Sequence, residues 1–160
     1  MNFDYIVKVK KRHSEAKLPK QSHSNDAGYD VFSIENVIIL PHSTVVVDTG
    51  ININLWRFVY EDTEEFEKTA LVCKVCCRSG MAAKNGVEVL NSPGIVDQNY
   101  TGPLKVILHN TTDNSVEIKV EDRIAQLLFE MVYLPKFEIV EEFEATDRGE
   151  NGFGSTDRIK

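Results

Sequence analysis

Short apolar-rich runs alternate with polar turns along the chain. Runs at Tyr5–Lys10, Thr44–Leu55, Leu71–Cys77, Gly86–Leu90, Leu104–Asn110, Ser115–Val120 and Ile124–Tyr133 are separated by Asn, Asp, Gly and Pro. Many short β-rich runs with that punctuation predict an all-β sandwich or barrel with little helix. The best helix-like stretch, Glu61–Thr69, is acidic with Phe66 as its one aromatic and lies between two strands, so a surface insertion is expected at 56–70. Thr111–Asn114 and Asp97–Gly102 have hairpin-turn composition. The final stretch, Ala145–Lys160, holds Gly149, Gly152 and Gly154, has no periodicity and has little to bury, which predicts a mobile C-terminal arm.

A length of 160 residues suits a single domain over 1–160. No apolar run approaches the length needed to span a bilayer, so a membrane protein is not expected. No signal-peptide-like apolar stretch follows the basic residues of Met1–Arg12, and a cytoplasmic location is expected. The net charge of -7 and pI near 5.1 are the opposite of a nucleic-acid footprint, so no nucleic-acid partner is expected. A small anion is still allowed where a few Arg side chains, backbone N–H groups and a metal ion supply local positive potential. The crowded Cys73, Cys76 and Cys77 invite a zinc or redox reading, but His13, His23, His42 and His109 lie at no finger-like spacing from them. They read as small apolar side chains on a strand, kept reduced.

Five patches interrupt the strand pattern: Asp26-Ala27-Gly28-Tyr29-Asp30, Arg78-Ser79-Gly80, Asn91–Gly102, Arg123-Ile124-Ala125-Gln126 and Arg148–Thr156. Singly, each reads as a turn, a loop, a strand edge or a flexible tail. In this order they resemble the trimeric deoxyuridine triphosphatase (dUTPase) family. DAGYD, CRSGM, NSPGIVDQNYTG, EDRIAQLLF and RGENGFGSTD match its five motifs from Asp26 to Asp157.

The resemblance implies a jelly-roll-like distorted barrel in a homotrimer with shared active sites. Motifs one, two and four would come from one chain, the third from a second and the fifth from a third. It implies hydrolysis of dUTP to dUMP and pyrophosphate with Mg²⁺, limiting uracil in DNA and supplying dUMP for dTMP synthesis. Asp97 matches the general base that holds the water attacking the α-phosphorus, a role for which a carboxylate needs only hydrogen-bond reach. Tyr100 matches the aromatic packed under the deoxyribose, where it excludes a 2′-hydroxyl. Asn91, the backbone of Gly94, Ile95, Val96 and Asp97, and the returning strand near Lys105 match the uracil reader.

Arg78, Ser79 and Gly80 match the phosphate loop, and Gly80 allows close backbone approach. Gln126 matches a further phosphate contact, while Arg123 suits either a ligand or a structural ion pair. Asp30 matches the acidic residue that helps hold Mg²⁺ through water. Phe153 resembles the aromatic that closes over uracil, and Arg148 with Gly154, Ser155 and Thr156 suits the γ-phosphate.

Departures from the family pattern are Cys77 for a frequent Pro, Met81 for a common Leu, Glu121 for Gly and Asp157 for a final Gly. Asp157 would set a negative charge beside the proposed γ-phosphate clamp. Two other readings compete. A deoxycytidine triphosphate deaminase shares the scaffold but would need a catalytic Glu and would not be expected to end in GFGST. A non-catalytic nucleotide-binding module fits poorly with an intact Asp97, Ser79, Gln126 and Arg148.

Overall fold

A computed structural model describes residues 6–55 and 69–150. The expected insertion at 56–70 falls mostly outside these residues, and so does the end of the arm from 151 onward. Ten strands and one short helix make up the described fold: β1 (Lys8–Lys11), β2 (Tyr29–Phe32), β3 (Val37–Ile39), β4 (Thr44–Asn54), β5 (Thr69–Cys76), α1 (Ser79–Asn85), β6 (Val87–Val89), β7 (Gly94–Val96), β8 (Pro103–Asn110), β9 (Val116–Ile118) and β10 (Arg123–Tyr133). The all-β expectation holds.

One antiparallel sheet runs β1-β4-β8-β6, a second runs β2-β10-β5-β7, and β3 pairs with β9. Period-two alternation puts Leu104, Val106 and Leu108 of β8 inside, against Val47, Ile51 and Ile53 of β4. Leu71, Cys73 and Val75 of β5 and Ile124 and Leu127 of β10 complete the core. Burying each such side chain contributes about 1.5–3 kcal/mol. Within this core the Cys73 thiol is pushed up to about 12, by burial first and then by the neighbouring Cys76. All three cysteines are free thiols, with Cys73 and Cys76 on β5 and Cys77 just past its end.

Between Asp48 and Asn52, β4 bulges against β8. Gly50 makes this possible, since its φ of +71° is the left-handed region and a Cβ there would lie 2.8 Å from Ile34. The Asp48 carboxylate stabilises the bulge by accepting the Gly50 N–H at 2.7 Å and pairing with Arg12. Burial alone would raise the Asp48 pKa. The hydrogen bonds from Arg12 and Gly50 and the charges of Arg12 and Lys105 more than offset that, and hold the carboxyl below its usual value. Beyond the bulge, Asn52 donates through Nδ2 to the Thr101 carbonyl at 2.6 Å, which ties the Asp97–Gly102 turn to β4.

Several local features differ from expectation. β2, β3 and β7 are only three or four residues long and were hidden inside turn-like sequence. CRSGM continues into α1, which ends at Gly86 in the left-handed conformation. Thr111–Asn114 and Asp97–Gly102 join strands of different sheets, so neither closes a hairpin. The first of these turns is organised by buried Asn110, whose Nδ2 donates to the carbonyls of Ile39, Leu40 and Asn114 and whose Oδ1 accepts from Thr112. No helix among the described residues is long and apolar enough to cross a membrane.

Candidate active site

Three of the sequence patches meet because of strand register. Gln126 of β10 is opposite Asp30 of β2 on one side and Cys76 of β5 on the other. Directly opposed residues in antiparallel strands project to the same face, so Asp30, Gln126 and Cys76 form one row across the sheet. Arg78, Ser79 and Gly80 follow where β5 ends. Together with Ser22, Asp26, Ala27, Gly28 and Leu128 these residues line an open polar cleft of about 410 Å³. A Cβ on Gly80 would meet nothing within 4 Å, so the backbone at this point is open to a ligand.

Asp30 is 8% exposed and fully engaged. Its Oδ1 accepts from Arg78 Nε at 2.6 Å, and its Oδ2 accepts from Ser22 Oγ at 2.9 Å and from Arg123 Nη1 at 3.3 Å. Arg123 is therefore a structural ion-pair partner, bonded also to Ser22 Oγ at 3.1 Å. Arg78 also donates to the Arg123 carbonyl at 3.4 Å, which leaves the rest of its guanidinium donors for a ligand. Gln126 Nε2 donates to the Cys77 carbonyl at 2.8 Å and so braces the base of the Arg78–Gly80 loop.

Arg78 and Arg123 are balanced by Asp26 and Asp30, so the cleft carries no net positive charge with which to neutralise a polyphosphate. A divalent cation brought with the phosphates fits this charge balance. With both Asp30 oxygens in ion pairs, direct coordination by Asp30 would require breaking them. Asp26 is better placed: its Oδ2 accepts the His23 N–H at 2.8 Å, and its Oδ1 is uncommitted among the described residues. Among those residues no group of three or more His, Cys, Asp or Glu side chains could hold a metal by itself. An ion here would take phosphate oxygens and water as direct ligands, as Mg²⁺ commonly does.

The third patch starts beside the cleft and leads away from it. Ser92 Oγ accepts the Cys77 N–H at 3.3 Å. The chain then turns through a cis Ser92–Pro93 bond into β7. The Asn91 side chain lies over Gly94, with Nδ2 2.9 Å from where a Cβ would stand. Gly94 and Val96 are buried, while Ile95 is exposed. Tyr100 rests on Gly102, where a Cβ would come within 2.5 Å of the phenol oxygen, and its hydroxyl donates to the Pro103 carbonyl at 3.0 Å. The ring is thus held from one side and 44% exposed. Lys105 lies on β8 opposite Asp48.

Val96, the last residue of β7, pairs with Cys73, so continuing that register would set Asp97 opposite Val72, whereas Gln126 pairs with Cys76. In an ideal sheet, four residues along β5 at about 3.3 Å and two strand spacings of about 4.8 Å would correspond to roughly 16 Å between Asp97 and Gln126 within one chain. Asp30, Arg78, Ser79, Gly80 and Gln126 are therefore brought together, whereas Asp97 and Tyr100 share a turn closed by the Tyr100 N–H on the Asp97 carbonyl at 3.1 Å, and Asn91 and Lys105 lie on the segments before and after β7 and that turn. Arg148 is exposed, and Phe153, Gly154, Ser155, Thr156 and Asp157 lie outside the described residues. Reasoning from motifs passed over Asp26, Ser22 and Asn52. The first sits inside a quoted motif, but nothing in sequence shows which of its two carboxylates is already paired.

An all-β fold of two four-stranded sheets with an open polar cleft at the junction of β2, β10 and β5 defines the class of protein. A profile of the dUTPase family matches residues 14–157. Deoxyuridine 5′-triphosphate nucleotidohydrolase from Clostridioides difficile is 40% identical over 152 residues, covering 95% of this chain and 98% of that one. The Staphylococcus bacteriophage 80alpha dUTPase with dUPNHPP aligns at a TM-score of 0.82 and 27% identity, over 97% of this chain and 100% of that one. A mutant dUTPase from phage phi11 of S. aureus, which coordinates a structural Mg(II) ion, shares the fold at a TM-score of 0.72 and 23% identity, over 88% of this chain and 99% of that one. The chain belongs to the dUTPase family.

Proposed function

We propose that the protein is a Mg²⁺-dependent dUTP diphosphatase that forms dUMP and pyrophosphate, thereby limiting uracil in DNA and supplying dUMP for dTMP synthesis. The observation that carries this reading is the convergence of Asp30, Gln126 and the Arg78–Gly80 loop in one cleft. Arg78, Ser79 Oγ, the Gly80 backbone and Gln126 bind the phosphates, using charge-assisted and neutral hydrogen bonds. Asp97 accepts a proton from a water as that water attacks the α-phosphorus; the bond to the bridging oxygen breaks and pyrophosphate leaves in line. Mg²⁺, when bound, neutralises phosphate charge, with Asp26 and Asp30 as the nearby carboxylates.

Asn91 and the backbone from Gly94 to Asp97, with the start of β8 near Lys105, read the uracil edge. Cytosine would leave buried polar groups there unpaired. Tyr100, seated on Gly102, excludes a ribose 2′-hydroxyl. Arg148 and the Phe153–Thr156 segment close over the base and the γ-phosphate.

The active unit in this reading is a homotrimer of one-domain subunits. Its first support is the ideal-sheet separation of roughly 16 Å between Asp97 and Gln126, too far for one chain to set a base beside the phosphates that it binds. Its second is unpartnered apolar surface: Phe137, Ile139 and Phe143 are 96%, 101% and 92% exposed, and an open apolar cleft of about 600 Å³ lies beside Val9, Leu18, Tyr29 and Phe129. Large apolar side chains left exposed beside an open apolar cleft are what an interaction surface would cover.

Incubating the purified chain with dUTP and Mg²⁺ tests the function. Formation of dUMP and pyrophosphate with little turnover of UTP or dCTP is expected. Deoxyuridine nucleotide formed from dCTP would instead support a deaminase, and tight nucleotide binding without turnover would support a binding module.

A further inference from the structure

We infer that Gly28 is a positioning residue for the phosphate cleft, acting by leaving room for the Gln126 amide. This deepens the functional proposal and rests on its reading of Gln126 as a phosphate contact. Gly28 stands two residues before Asp30, on the cleft wall and diagonal to Gln126 across the β2–β10 pair. A Cβ at Gly28 would lie 2.2 Å from Gln126 Oε1, 3.1 Å from its Cδ and 3.4 Å from its Cβ. The three nearest atoms all belong to that one side chain. Gly28 is not among the residues with positive φ, so its backbone would accept alanine. What the position excludes is a side chain, and the group that fills the space is the Gln126 carboxamide.

That carboxamide has two tasks. One Nε2 hydrogen is used on the Cys77 carbonyl at 2.8 Å, immediately before Arg78, so the amide couples β10 to the phosphate loop. The second hydrogen is available to a phosphate oxygen. Held against Gly28, the amide plane serves both. A methyl group at residue 28 would swing the amide away, and because the displaced atom ends a flexible side chain, the fold itself would lose little. The brace on Cys77 and the second donor would be lost together.

A double-mutant cycle with Gly28→Ala and Gln126→Ala tests this inference. The readouts are kcat/KM for dUTP with Mg²⁺, the Kd of a non-hydrolysable dUTP analogue, and Tm. Each single change is expected to lower kcat/KM by about tenfold or more. The double variant is expected to be no worse than Gln126→Ala alone, because no amide is left to displace. Tm of Gly28→Ala should stay within a few degrees of wild type. Multiplying losses in the double variant, or wild-type kcat/KM in Gly28→Ala, would overturn the role of Gly28 while leaving Gln126 in place. Wild-type turnover by Gln126→Ala would overturn the phosphate-contact reading and this inference with it. If Gly28→Ala does not fold, removing the Gln126 amide should restore folding, and an unfolded double variant would also overturn the inference.

Discussion

Around Asp30, both carboxylate oxygens are bonded to Arg78, Arg123 and Ser22 within a single chain, whereas Phe137, Ile139 and Phe143 past β10 leave almost all of their apolar surface uncovered. The first region is finished by its own chain. Its charges are paired, its amide is braced on Cys77, and its strands are locked by register on both sides of β10. The second region lacks that self-sufficiency, since each of its large apolar side chains forgoes about 1.5–3 kcal/mol of burial. The difference teaches that a polar cleft can be preorganised within one chain while an apolar face of the same chain is left uncovered, which is what the proposed trimer would bury.

The most severe test exploits that division. Asp97→Asn keeps the size of the side chain and removes the proton acceptor, so kcat should fall by about a hundredfold or more with analogue binding retained. Near-normal turnover would remove Asp97 as the base. Co-expression with Gln126→Ala chains then sharpens the comparison: if the two groups come from different chains, mixed oligomers hold some intact sites and recover activity. If both act within one chain, no mixture recovers it.

Next in size, Phe137→Asp combined with Phe143→Asp should break up the proposed trimer, seen as a smaller species than wild type by light scattering. Turnover should fall at least tenfold, with β-sheet content retained. An unchanged assembly would show that the exposed segment is not an interface. More modest is Tyr100→Ala, which removes the ring seated on Gly102. It should weaken dUTP turnover several-fold and raise UTP turnover relative to it, whereas an unaltered UTP-to-dUTP ratio would mean that the sugar is selected elsewhere.

The smallest effect belongs to the frame of the self-sufficient region. Glu121 has a φ of +72°, in the left-handed region where the family pattern has Gly, and it precedes Asp122, whose carboxylate accepts the Lys119 N–H at 2.8 Å. Glu121→Gly relieves backbone strain of about 1–2 kcal/mol and loses an exposed ion pair with Lys17, worth about 0–1 kcal/mol. Tm should rise by a few degrees with activity unchanged. A fall in Tm would show that the Lys17 pair outweighs the strain.

Much of the fold was legible in order. Long strands such as β4, β8 and β10 carry enough apolar positions for their periodicity to stand out. β2, β3 and β7 do not, since Gly, Asp, Asn and Pro in or beside them imitate turns, whereas the equally short β1, β6 and β9 sit in runs without that disguise. The helix after Arg78 was invisible because it has no buried face. Of the site, the motifs identified the chemistry, but the pairing of Asp30 with two arginines and the uncommitted oxygen of Asp26 could not be foreseen from DAGYD.

The amino-acid sequence by itself determined the all-β character, the candidate loop at Arg78–Gly80, the candidate base at Asp97 and the membership of the family, because these depend on local periodicity and on ordered motifs. Only the tertiary structure decided that Asp30, Gln126 and Cys76 form one row, that Asp97 follows the end of β7 that is farther from it, and that the space beside Gly28 is filled by the Gln126 amide. The physical reason is register. A shift of one residue between antiparallel strands would send every side chain to the opposite face, and which residues are opposed is settled by the packing of the whole sheet.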